Sequence, residues 1–91
     1  VVLDEQGKYA EAQGMHEQAL KIRRAQLGKE HPDVADSLFN LALVYEQREE
    51  WEKVVECYQQ AYDIESKIFG QDHTQVKETL KALKAAKKKL E

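Results

Sequence analysis

Cysteine occurs once, at Cys57, so no intramolecular disulfide can form and nothing argues for secretion. A cytoplasmic location is therefore expected. One proline and four glycines suit a helix-rich protein rather than a disordered one. No apolar run approaches the roughly 18 residues needed to span a bilayer, so no membrane partner is expected. Val1-Val2-Leu3 is followed at once by Asp4-Glu5, which is not the pattern of a signal peptide. Strand-like alternation bounded by hairpin turns is absent too. The chain does not start with Met, which suggests a fragment of a longer protein.

Apolar residues make up 42% and charged residues 34%, a balance that suits a folded, helix-rich domain rather than a disordered one. At 91 residues the chain is a single small domain with a thin stability margin. Its net charge of −3 is unevenly spread: residues 72–91 carry six Lys against three acids. That basic segment reads either as a solvated helix face or as a surface for an acidic partner.

The most informative feature is a repeat of 42 residues. Laying residues 6–44 on 48–86 places Tyr9 on Trp51, Ala19 on Ala61, Ile22 on Ile64 and Gly28 on Gly70. It also places His31 on His73, Val34 on Val76, Leu38 on Leu80 and Leu41 on Leu83. Matches cluster at apolar and turn positions while exposed positions drift, as expected for a supersecondary unit that packs on copies of itself.

Helical periodicity predicts helices over 8–27, 32–48, 51–69 and 74–90. Gly28 and Gly70 supply the left-handed conformation that ends the first and third. Pro32 suits the first helical position of the second, and His31 before it is pushed to the extended geometry of a cap. Residues 1–6 align with 43–48 and read as the last turns of an earlier helix, with a break after Gly7. Another break is expected around Glu49-Glu50. Connections this short make neighbouring helices antiparallel, so the expected fold class is all-α.

These residues resemble the tetratricopeptide repeat. Leu38-x2-Leu41-Ala42-x2-Tyr45 fits the first-helix pattern of that family. Val54-x3-Tyr58-x2-Ala61 fits the second, and Ala12-x3-His16-x2-Ala19, preceded by Gly7-x-Tyr9, is an earlier copy. The family's usual repeat has 34 residues. The longer period here, with Leu27-Gly28-x2-His31-Pro32-x-Val34-Ala35 and the run Asn40-Leu41-Ala42, is similar to the repeats of kinesin light chains and related adaptors. The resemblance implies an α-solenoid fragment of antiparallel helix pairs. Residues 1–28 would be an incomplete first repeat, 32–70 a full repeat and 74–91 a capping helix. Lys84 and Lys87 stand where the preceding unit has Ala42 and Tyr45, and a further helix could not cover them without burying two charges. Two more departures are His16 at an aromatic position and Glu49 at a turn glycine.

Several residues offer chemistry. Cys57 with His16 or Tyr58 could suggest a thiol nucleophile, but no orienting acid or oxyanion element accompanies it, and a packing role is expected. His31 and His73 recur one repeat apart, too distant for one metal ion; capping fits both. Glu46, Glu49, Glu50, Glu52 and Glu56 form an acidic run that is either solvated or attractive to basic partners. Lys77, Lys81, Lys84 and Lys88 form a stripe with no aromatic between them, so no nucleic-acid partner is expected.

In stacked helix pairs, the first helix of each pair lines the inner groove. Asp36, Phe39, Asn40, Leu43, Glu46 and Gln47 lie off the Leu38/Leu41/Ala42/Tyr45 stripe. Phe39 and Leu43 either floor a peptide groove or pack on neighbouring helices. Asn40 can both donate to and accept from a peptide backbone, and the resemblance implies peptide contact at its place. Lys81 and Lys88 are the equivalents of Phe39 and Glu46 on the last helix. The expected function is protein–protein interaction, an adaptor or scaffold that binds a peptide or partner domain through Phe39, Asn40, Leu43, Glu46, Lys81 and Lys88. No enzyme activity, cofactor or metal is expected. The alternative is a structural cap and self-association module, a homodimer joined at its N-terminal end.

Overall fold

The computed structural model describes residues 2–91, with side chains from Lys8 onward. Four helices follow one another: α1 (Val2–Leu27), α2 (Pro32–Gln47), α3 (Trp51–Phe69) and α4 (Thr74–Lys88). The last three match the expected spans to within two residues, and the described residues contain no strand.

Local chemistry explains the boundaries. His31 has extended geometry (φ −101°, ψ 143°), and its Nδ1 accepts a hydrogen bond from the Asp33 amide at 3.1 Å. His73 repeats this, with Nδ1 accepting from the Gln75 amide at 3.1 Å. Each histidine satisfies an amide that the first helical turn leaves without a backbone acceptor, which is the capping role expected of the pair. Gly28 (φ 90°) and Gly70 (φ 84°) turn the chain out of α1 and α3, a conformation that costs an L side chain steric strain. The link from α2 to α3 uses Glu49 at φ 57° instead of a glycine.

The expected break after Gly7 does not occur, because α1 runs through it as one helix of 26 residues. An interior glycine costs a helix only about 1 kcal/mol. A glycine permits a turn there without imposing one.

Each helix packs on the next in the chain, most extensively α2 on α3. The core joins Val34, Leu38, Leu41, Ala42 and Tyr45 of α2 to Val54, Tyr58, Ala61 and Ile64 of α3, with Leu83 and Ala86 of α4. From α1, among the described residues, Leu20 joins it. Met15 and Ile22 of α1, the second of which aligns with Ile64, are exposed. The seam between α1 and α2 is largely polar. The Tyr45 hydroxyl donates to Glu17 Oε2 at 2.8 Å, Arg48 donates to Gln13 at 2.6 Å, and Arg23 donates to Ser37 Oγ at 2.7 Å and the Asp33 carbonyl at 3.1 Å.

Candidate partner-binding surface

The six candidate residues fall into separate places. At 100° per residue, Asp36, Asn40, Leu43 and Gln47 share one stripe of α2, and all four are exposed. Leu43 is 42% exposed although large and apolar. Phe39 and Glu46 lie toward α3. The Phe39 ring meets Tyr58 at 5.2 Å between centroids, and Glu46 Oε1 accepts from the Tyr58 hydroxyl at 3.2 Å. Both are therefore partly buried supports under the stripe. Burial and the Glu46 carboxylate beside it raise the Tyr58 phenol pKa above its ordinary value, so Tyr58 stays a hydrogen-bond donor across the physiological range.

Lys81 and Lys88 are exposed on a different face of α4, with Lys77 and Lys84. By the repeat, this is the face that α2 turns toward α3. Lys84 and Lys87 are exposed as well, so both charges that would obstruct a further helix sit in water.

Asn40 also helps line a groove that the sequence did not reveal. Ala12, Met15, His16, Ala19 and Arg23 of α1 form one wall, and Ser37 and Asn40 of α2 the other. Arg23 and Ser37 were missed because neither belongs to an apolar stripe. The available signal was their spacing: 42 residues on stand Glu65 and Thr79, another long polar side chain facing a hydroxyl.

Cys57 is buried, and burial, aided by Glu56, pushes its thiol up to about 11. It is a neutral packing group at physiological pH, not an activated thiolate. Among the described residues no three His, Cys, Asp or Glu side chains converge as a metal-ligating group. No helix of those residues is long and apolar enough to cross a membrane.

A family model described as tetratricopeptide repeat matches residues 1–67. The chain belongs to the tetratricopeptide repeat family. A search of curated proteins found no match. The match covers α1, α2 and most of α3, and α2 and α3 form a packed helix pair. Tetratricopeptide repeats generally mediate protein–protein interactions and form a non-catalytic family. In such a unit the small residues Ala42 and Ala61, both fully buried, let the helices approach closely, and Tyr58 fills the space beside them.

Proposed function

We propose that this tetratricopeptide domain is an adaptor-type interaction module, with repeats of the kinesin-light-chain kind, that receives an extended peptide or a partner domain along α2. The observation that carries the reading is Leu43, exposed beside Asn40 on the stripe that also holds Asp36 and Gln47. Leu43 offers apolar area and Asn40 offers a donor and an acceptor to a peptide backbone. Phe39 and Glu46 hold the floor through Tyr58, while Lys81 and Lys88 flank the site and engage only an acidic ligand long enough to reach α4. Residues 1–28 act as an incomplete repeat, 32–70 as the full repeat and 74–91 as a cap. Cytoplasmic residence accords with a lone, buried thiol.

The test is to select binding peptides from a displayed library and measure their affinity for variants. Leu43→Glu and Asn40→Ala weaken binding about tenfold or more, with stability changed by less than about 0.5 kcal/mol. Undiminished binding to the double variant would overturn the reading. Phe39→Glu lowers affinity and stability together, because it removes the Tyr58 contact.

A second reading, a structural cap that self-associates through its N-terminal end, draws support from the exposed Met15 and Ile22 on α1. Light scattering at high micromolar concentration would then give about twice 10.5 kDa.

A further inference from the structure

The groove between α1 and α2 recurs one repeat on, between α3 and α4, and there α2 lies across it. Val54, Tyr58, Ala61, Glu65 and Thr79 are all buried in this copy, with Phe39 and Glu46 of α2 set on Tyr58. The polar ends of the two grooves differ. In the first, Arg23 donates to Ser37 Oγ at 2.7 Å, a donor meeting an acceptor. In the second, the same positions hold the Glu65 carboxyl and the Thr79 hydroxyl. Glu65 is 2% exposed and Thr79 0%, and neither Glu65 Oε1 nor Thr79 Oγ1 has a hydrogen-bond partner among the described residues. A buried acceptor without a donor is costly to the folded state.

The groups around this carboxyl bring it no positive charge. From α2 comes Asp36, a second acid; from α4 come Thr79, Gln75 and His73. His73 uses Nδ1 to accept from the Gln75 amide, so its imidazole is neutral in this arrangement. Arg23 directs Nη1 to Ser37 and to the Asp33 carbonyl. Neither Asp36 nor Glu65 forms an ion pair among the described residues. Asp36 is exposed on the same stripe of α2 as Asn40, Leu43 and Gln47. That exposure is a property of the repeat: Glu78 holds the equivalent position on α4 and is exposed too. Two acids, one open and one buried, therefore stand together at one end of the stripe.

We propose that the Asp36 end of the α2 stripe is a subsite for a basic side chain of the bound peptide, whose charge pairs with Asp36 and offsets the buried Glu65 beside it. This rests on the α2 stripe being the peptide surface. Arginine fits better than lysine, because its planar fork carries donors enough for both carboxyls. Binding is also coupled to a proton. Burial holds the Glu65 carboxyl above its ordinary value of 4.5 in the unliganded domain. A cation beside it favours the anion, so binding releases a proton at pH values just above 4.5.

The probes are peptides selected from a displayed random library on the native chain and, separately, on the Asp36→Asn/Glu65→Gln chain. The native chain enriches arginine or lysine at one fixed position; the double variant does not. In a synthetic copy of a selected peptide, replacing that residue by Gln weakens binding about fivefold or more, the scale of a partly exposed charge pair. Asp36→Asn weakens the basic peptide to a similar degree and leaves the Gln peptide unaffected. Titration calorimetry at about pH 5.5, in two buffers of different ionisation enthalpy, shows proton release with the native chain and none with Glu65→Gln. Peptides that depend on Leu43 but show no basic preference would overturn this proposal and leave the peptide reading standing. A library that yields no peptide sensitive to Leu43→Glu would overturn both. Proton release that persists in Glu65→Gln would remove Glu65 from the subsite, and self-association lost in Asp36→Asn would give the subsite to a second copy instead.

Discussion

Cys57 and Met15 occupy the same position in successive repeats, yet Cys57 is 6% exposed and Met15 68%. Ile64 and Ile22 divide the same way, at 8% and 53%. The α3–α4 half and the α1–α2 half are built from matching residues, so intrinsic preference does not set burial. The covering helix does: α3 has α2 across it, and α1 has no corresponding helix among the described residues. A repeat unit in this fold cannot bury its apolar face alone.

The largest test of this contrast is core truncation. Leu41→Ala, at a site enclosed by α1, α2 and α3, removes about 3–5 kcal/mol, whereas Leu20→Ala on the polar α1 seam removes about 2 kcal/mol, as read by urea unfolding. Equal losses would mean that α1 is packed as fully as α3.

The seam itself comes next. Tyr45→Phe deletes the 2.8 Å bond to the Glu17 carboxylate at a buried phenol whose pKa burial and Glu17 raise above the ordinary value. A loss of about 1–2 kcal/mol is expected, within the range for bonds to charged acceptors. Loss below about 0.3 kcal/mol would show the seam to be held by other contacts.

These expectations also mark what the sequence made legible. Helices α2, α3 and α4 were readable because glycine, proline and histidine act within one turn and the apolar period does the rest. Leu20 was not, because alignment puts weight on Ala19 against Ala61, whereas it is Leu20 that is buried. The end of α1 at Gly7 failed for a related reason: a glycine permits a turn but does not impose it. Phe39 and Asn40 read as one site because both lie off the Leu38/Leu41/Ala42/Tyr45 stripe. Adjacent helical residues point about 100° apart, so one packs on Tyr58 and the other faces the α1 groove.

The buried carboxylate separates the halves by pH. Burial holds the Glu65 carboxyl above its ordinary value of 4.5, with Asp36 adding to the rise and Thr79 and Gln75 tempering it. The folded state therefore keeps a proton that the unfolded chain releases, and stability falls as pH rises from about 4.5 through the raised value. Glu65→Gln removes that decline and stabilises the domain at neutral pH relative to pH 4. An unchanged pH profile would show that Glu65 ionises without cost. Smaller still is Glu49→Gly in the turn between α2 and α3. Relief of the left-handed strain, less the entropy glycine adds to the unfolded chain, gives about 0.5–1 kcal/mol of stabilisation. Calorimetry showing destabilisation would mean that the Glu49 side chain contributes more than its backbone costs.

The most direct test of the two-groove account is thiol accessibility at the paired positions in one sample. Met15→Cys is introduced with Cys57 left in place, and alkylation of each thiol is timed by mass spectrometry. The account predicts that the thiol at position 15 reacts like one on an open helix surface. Cys57, buried and pushed up to about 11, should react at least about a hundredfold more slowly, because access and thiolate fraction both fall. Comparable rates at the two positions would contradict the claim that one groove is filled and its copy stands open.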